Sequence, residues 1–373
     1  MINNLLPPGF KDETFEQSSI EHKYKNIILD VFQKNGYRLV QTPLIEYCNE
    51  NNQNNAFVIN VKKEKKDYVI RNDMTMQIVR LASARLKNYD RPLKLCYYGD
   101  VVRKKGTLLR PERQFLQIGA ECIGEQSYLA DVEMLNLAYQ SLTAVGIKDI
   151  SIELSSQVFL EYLLKHNNET KIKKLITSFL RKKDKKNTIK HLDKDSHDFG
   201  LNLLSCHGIL KEKKLYLEKL KINKETSAAV DEILLIYKTF LKIHPKVNFV
   251  IDLTESNYLE YHTGTRFTIF AKNVRGEVAR GGRYISKNGQ KQENSTGFNC
   301  YMDSIMRAST IEPKNKRILI PFSTNDKLIK NLLNKGYFVD RFFGKEENIK
   351  KRAIKNGFNA YLIKNKIIQL KLN

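Results

Sequence analysis

Gln117 and Glu121 stand four residues apart in the run Arg113-Gln114-Phe115-Leu116-Gln117-Ile118-Gly119-Ala120-Glu121, and Arg103 closes the apolar run before it. A basic, glycine-containing turn separates the two runs. Together they read as a long antiparallel hairpin over 97–124, with the arginine near the end of its first strand. Even spacing on a strand puts Gln117 and Glu121 on one face of the sheet. A buried amide and carboxylate on a sheet face are costly without partners. A small zwitterionic ligand would supply both. Taken singly, an acid on a strand is more often a cap or a surface pair than a binding group, so the reading depends on the company these residues keep.

The elements that must position the hairpin follow from periodicity. Apolar residues recur at helical spacing from Thr14 to Asn35, and Gly36 ends that helix. Tyr37–Val40 reads as a strand, Pro43 breaks the chain, and Leu44–Tyr47 follows. Phe57–Val61 and Tyr68–Arg71 read as a hairpin around a lysine-rich tip, leading through Arg71-Asn72-Asp73-Met74-Thr75 into a helix. After the 97–124 hairpin come a helix over Ala130–Val145 and a strand over Ile150–Leu154. From 158 to 243 the texture turns Lys/Leu-rich with helical periods and no strand signal, with a flexible middle expected near Lys183–Asn187. Strands resume at Val247–Leu253, Thr265–Ala271, Glu277–Tyr284 and Phe298–Tyr301, before a short helix ending near Ala308. The last sixty residues alternate strand and helix. The expected class is α+β, with an antiparallel main sheet flanked by helices, a helical insertion and a small C-terminal α/β domain. The expected divisions are 1–157 and 244–312 for the core, 158–243 for the insertion and 313–373 for the C-terminal domain.

Composition narrows the function. The chain has 373 residues and 41% hydrophobic residues, enough for a sizeable core. It has no apolar run long enough to span a membrane and no signal-peptide pattern at its start, so a cytoplasmic protein is expected. Five scattered cysteines and unpaired histidines suggest neither a disulfide framework nor a metal site. The net charge of +23 fits either an RNA-binding footprint or a coding bias that enriches Lys, Asn and Ile together. The lysine runs at 62–66 and 181–186 read as solvated surface.

In order and spacing, four segments resemble the class II aminoacyl-tRNA synthetases, in their histidyl-specific form, over roughly Leu6–Arg307. The helix, strand and proline at 14–47 look like motif 1, which builds that family's dimer interface. The 97–124 hairpin looks like motif 2, with Arg103 at its arginine. The resemblance places Asp73 and Thr75 where the family holds a substrate α-ammonium, a charge an anion suits, and places Gln117 and Glu121 along the same histidine pocket. Tyr261, His262, Thr263 and Gly264 match the histidine-reading segment, with His262 where a second tyrosine is usual. Gly281-Gly282-Arg283-Tyr284 matches a glycine-rich turn beside the site.

The departures concern ATP. Asn257 and Ser304 stand where the family has its other two arginines, Lys105 replaces a motif 2 acid, and Tyr301 replaces a glycine that leaves room for adenine. Losing one preorganised charge costs about 10²–10³ in rate, so adenylation is not expected. The runs 71–75 and 105–114 resemble the synthetase-like regulatory subunits of ATP phosphoribosyltransferase. That resemblance implies a non-catalytic regulatory subunit for the first step of histidine biosynthesis, with L-histidine as feedback effector bound by Asp73, Thr75, Arg103, Gln117, Glu121, Tyr261 and His262. It implies a dimer through the motif 1 region, a short-form catalytic subunit as partner, and no cofactor, metal, membrane or nucleic acid. Arg103 would face either the ligand carboxylate or Glu121. The alternatives are an active histidyl-tRNA synthetase and a non-catalytic tRNA-binding module.

Overall fold

The computed structural model describes the chain apart from residues 1–4, 50–51, 63, 166–168, 256–261, 273, 289–290, 312–315 and 371–373. The chain divides into two compact units, Met1–Ile311 and Glu312–Asn373. In the first, nine strands form one sheet. From edge to edge they are Arg38–Leu39, Leu93–Val102, Gln114–Ile123, Lys291–Tyr301, Ala279–Asn288, His262–Ala271, Ile150–Ser156, Asn248–Asp252 and His207–Ile209. The long strands pair antiparallel. Parallel pairs occur toward the two edges, where Leu39 faces Cys96 and Leu154 faces Ile251.

Period-2 alternation gives this sheet two unlike faces. Ile118, Ala120, Phe298, Cys300, Phe267, Ile269, Ile152 and Leu154 point to one side and are buried in the main core. Helices Phe15–Lys34, Tyr128–Ala144 and Lys224–Ile243 cover that side, with Ile28, Phe32, Leu135, Ala138, Ile233 and Phe240 in the same cluster. Arg283 also points there, donating from Nε to Asp131 Oδ2 at 2.9 Å and from its other nitrogens to the Glu125 and Ser127 carbonyls, which fixes the start of the Tyr128–Ala144 helix. The intervening residues Gln117, Glu121, Asn299, Tyr301, Arg280 and Thr268 therefore line the other face. A second cluster with Met74, Ile78, Tyr97, Val101 and Phe115 seats the Thr75–Ala84 helix there.

Several elements differ from the sequence reading. The Ala279–Asn288 and Lys291–Tyr301 strands run much further than the apolar residues indicate, pairing down to Asn288 with Lys291. Their far end is polar on both faces and gives no alternation to read. Gly281 to Tyr284 lie inside a strand and do not form a turn. Among its described residues the helical stretch contains one strand, His207–Ile209, which pairs antiparallel with Asn248–Asp252. Three residues are too few to show a period. The expected flexible middle is ordered as a helix over Lys185–Lys190, capped by the Asp184 side chain, and Lys183 donates to Asp252 at 2.6 Å, so that lysine is not free surface.

The second unit is a four-stranded sheet in the order Tyr337–Phe342, Lys316–Pro321, Ala360–Ile363, Lys366–Gln369, the first three parallel. Two apolar clusters form on its opposite faces. Ile318, Ile320 and Leu332 pack under helix Asp326–Asn334; Leu319, Ile349, Ala353 and Phe358 pack under helix Ile349–Lys355. Among the described residues no helix is long and apolar enough to cross a membrane, and no three His, Cys, Asp or Glu side chains converge as metal ligands.

Candidate functional site

The polar face of the main sheet brings five of the seven expected site residues together. The loop before helix Thr75–Ala84 is held by Arg71, whose Nε donates to the Asp100 carbonyl at 2.7 Å and whose NH1 donates to the Thr42 carbonyl at 3.0 Å. That anchor puts Asp73 beside the sheet. Asp73 Oδ1 accepts from Thr75 N and its Oδ2 accepts from Gln117 Nε2, both at 2.9 Å. Gln117 Oε1 accepts from Met74 N at 3.0 Å. Asp73, Thr75, Glu121 and His262 border one cavity together with Arg280, Tyr284, Asn299 and Tyr301. Tyr261 and Asn257 lie outside the described residues.

Glu121 is completely buried. Its Oε1 accepts from Tyr97 and its Oε2 from Tyr284, each at 2.8 Å. Tyr97 also lies 2.8 Å from Asn299 Oδ1, and Asn299 Nδ2 donates to Thr75 Oγ1 at 3.1 Å. A phenol has one proton, so it cannot donate to both Glu121 and Asn299. Turning the Asn299 amide, so that its nitrogen donates to Tyr97 and its oxygen accepts from Thr75, resolves the conflict with Tyr97 still donating to Glu121. Burial pushes the Glu121 carboxyl up to about 7, with the Asp73 charge adding to it and the hydroxyls of Tyr97, Tyr284 and Thr75 opposing it. Two glycines make room. A Cβ on Gly297 would stand 1.6 Å from Glu121 Oε2, and one on Gly119 would stand 2.6 Å from the Tyr97 ring.

The amide and carboxylate therefore already have partners. The sequence argument that Gln117 and Glu121 require a ligand is corrected by this internal network. The cavity left between these groups is about 10 Å³, room for about one water. A ligand the size of an amino acid enters only when some of these bonds open.

Arg103 does not border the cavity. Its guanidinium stands 4.9 Å from the Phe115 ring centroid and 6.0 Å from that of Tyr301, and Glu121 is taken by tyrosines, so the Arg103–Glu121 pairing is not the arrangement found. The arginine closer to the Tyr301 ring is Arg110, from the hairpin's turn, 3.8 Å from its centroid. Arg110 is buried, with Nε 3.3 Å from Asp303 Oδ2, NH1 3.4 Å from Glu277 Oε1 and NH2 donating to Ser304 Oγ at 3.4 Å. An arginine from the turn thus leans onto Ser304, and its charge is matched by two carboxylates.

The sequence reading missed Tyr97, Asn299 and Arg110 as members of this site. Tyr97 faces Gly119 in the strand register, between Gln117 and Glu121. A tyrosine opposite a glycine flanked by buried polar groups was the available signal. Asn299 lies midway between Gly297 and Tyr301 on the same face. Arg110 had no signal, because a turn residue's direction is set by the fold.

A model of the histidyl-tRNA synthetase family matches residues 9–305. The chain is 32% identical over 330 residues to the ATP phosphoribosyltransferase regulatory subunit of Rhodospirillum centenum, covering 86% of this chain and 84% of that one. It is 30% identical to the regulatory subunit of Clostridium botulinum strain Langeland, over 85% of this chain and 80% of that one. Among solved structures, it resembles a Bacillus halodurans protein described as an ATP phosphoribosyltransferase regulatory subunit/histidyl-tRNA synthetase (TM-score 0.77, 20% identity, 95% of this chain and 96% of that one). It also resembles a histidyl-tRNA synthetase from Nostoc (TM-score 0.76, 18% identity, 97% and 92%). These likenesses show the fold, and the closer sequence relatives show the branch. The chain belongs to the histidyl-tRNA synthetase-like family, among its ATP phosphoribosyltransferase regulatory subunits.

Proposed function

We propose that this chain senses L-histidine for a short-form catalytic ATP phosphoribosyltransferase subunit at the first step of histidine biosynthesis, and makes no aminoacyl-adenylate itself. The observation that carries the reading is the contrast between the two halves of the site. The amino-acid half keeps Asp73, Thr75, Glu121 and His262 around one cavity, with Gln117 hydrogen-bonded to Asp73 behind it. Where the resemblance puts the nucleotide, Tyr301 lies under Arg110, whose charge is matched by Asp303 and Glu277, and Ser304 stands at the position of the family's arginine. Arriving histidine exchanges its ammonium for the Gln117 contact on Asp73, and its imidazole meets a Glu121 that can give up or keep a proton near neutrality.

Inhibition follows only if histidine binds the inactive assembly more tightly than the active one, by about 1–3 kcal/mol in systems of this kind. The Asp73–Gln117 and Met74–Gln117 bonds tie the segment leading into the Thr75–Ala84 helix to the sheet, and we infer that releasing them on histidine binding is what couples the pocket to the assembly. A second copy of the chain is proposed to cover the exposed Leu39, Leu44, Ile45 and Tyr47, in the region that resembles motif 1.

The test is calorimetry of L-histidine on the purified chain and on Asp73→Asn, with histidine-dependent pyrophosphate exchange as control. Removing a charged hydrogen-bond acceptor for the ammonium weakens binding at least about tenfold, and histidine inhibition of the reconstituted transferase falls in parallel. Undiminished binding by the variant overturns the pocket assignment, and histidine-dependent exchange overturns the non-catalytic reading.

A further inference from the structure

The C-terminal unit holds a concavity of about 640 Å³, bounded by helix Ile349–Lys355, the edge strand Tyr337–Phe342 and the residues just past that strand. Helix Ile349–Lys355 packs over Lys316–Pro321 and Ala360–Ile363. It leaves the edge strand uncovered on that face. The floor is Arg317, Leu319, Asp340 and Phe342, which alternation and strand register place on one side of the sheet. Helix Ile349–Lys355 supplies the wall, with Lys351, Arg352 and Lys355 bordering the groove. Phe343, 82% exposed, stands at the mouth beside Phe322, their ring centroids 5.2 Å apart.

Three independent features point to one ligand chemistry. The first is charge. Residues 312–373 contain fifteen Lys and Arg against five Asp and Glu, so roughly a sixth of the chain holds ten of its twenty-three net positive charges. A uniform coding bias does not concentrate charge in this way. Arg317 pairs with Asp340 and Arg341 with Asp326. Lys351, Arg352 and Lys355 have no carboxylate partner among the described residues. Lys351 and Lys355 are four apart on one helix face, a like-charge pair that destabilises a helix unless an anion lies between them. The second feature is aromatic. Phe342 and Phe343 border the same groove as those cations, and a base–aromatic stack is worth about 1–3 kcal/mol. The third is topology. Parallel strands Lys316–Pro321 and Tyr337–Phe342 are followed by helices on opposite faces of the sheet. The crevice at the carboxyl ends of two such strands is where open α/β sheets bind ligands, and Phe342 and Phe343 stand there.

We propose that this groove binds a free nucleoside polyphosphate, with its base against Phe342 and Phe343 and its phosphates against Lys351, Arg352 and Lys355. The volume is within the 300–1,000 Å³ typical of small-ligand pockets and suits one nucleotide rather than a strand. The inference rests on the C-terminal unit alone and stands whether or not the main site binds histidine.

ATP binding to the full-length chain, measured by calorimetry, tests it. The variants are Lys351→Glu combined with Lys355→Glu, and Phe343→Ala; all three positions are exposed, so the fold is expected to survive, which circular dichroism checks. ATP is expected to bind, the charge reversal to weaken binding at least tenfold, and Phe343→Ala to weaken it about five- to a hundredfold. Four results overturn the proposal. One is no heat of ATP binding at millimolar concentration. Another is ATP binding unchanged in both variants, which places the ligand elsewhere. A third is inorganic triphosphate binding as tightly as ATP with Phe343→Ala silent, which leaves only an anion-attracting surface. The last is a single-stranded RNA dodecamer that binds more tightly than ATP and is lost in the same variants, which makes the ligand a strand.

Discussion

At the scale of single residues, Glu121 governs the main site. Its carboxyl is held up to about 7 by burial, above an ordinary glutamate near 4.5. The folded chain therefore binds a proton there that the unfolded chain has already released. Stability from this group is full below about pH 4.5 and is lost as pH rises through about 7, where the curve flattens; the whole change is about 3 kcal/mol. Glu153, raised to about 8 by burial and by the neighbouring Glu255 carboxylate, has the same sign. Glu121→Gln cannot titrate, so denaturant unfolding at pH 5 and pH 8 is expected to differ by up to about 3 kcal/mol less in the variant than in the parent. An unchanged pH dependence means that Glu121 is ionised throughout. Gln117 and Glu121 were readable as buried polar residues from their spacing on a strand. That they satisfy each other's neighbourhood through Asp73, Tyr97 and Tyr284 was not readable, because those partners come from three distant segments.

At the scale of elements, the site depends on strands that approach without side chains. Gly297 sits opposite Glu121 in the strand register, and its missing Cβ is the space the carboxylate uses. Gly297→Ala collides with a fully buried group on the same sheet, so it is expected to destabilise by about 1–3 kcal/mol and to weaken histidine binding. Thermal unfolding checks the first effect and calorimetry the second; a variant as stable as the parent would show that Glu121 can swing away. The apolar face predicts differently. Phe298, buried against Phe32 and Phe267, leaves a cavity when cut to alanine, a loss of about 3–5 kcal/mol in thermal or denaturant unfolding, with little change in ligand preference if the fold survives. The hairpin at 97–124 was legible because both strands are long and apolar on one face. The Ala279–Tyr301 hairpin was legible only at its inner half, since the buried positions of its outer half, Ser286, Glu293 and Ser295, are polar and give no apolar alternation.

For the whole molecule, assembly is the property the proposed function requires. Exposed Leu39, Leu44, Ile45 and Tyr47 fall within nine residues of chain, on or beside the short strands Arg38–Leu39 and Ile45–Tyr47, and apolar side chains gathered in this way suit an interface. Ile45→Glu with Tyr47→Glu is expected to shift the chain from dimer to monomer in sedimentation equilibrium while leaving its circular dichroism intact; a parent that is already monomeric overturns the proposed interface. The sequence by itself determined the α+β class and the placement of the long helices and strands. Alternation, caps and glycines act locally and leave local marks. Only the tertiary structure decided that the polar residues close on one another around about 10 Å³, that Arg110 rather than Arg103 lies on Tyr301, and that Lys351, Arg352 and Lys355 border one groove of the C-terminal unit. Each of those outcomes depends on how far chain segments remote in sequence approach one another, and the direction a side chain takes across a packed interface is fixed by its neighbours there and not by the residues beside it in the chain.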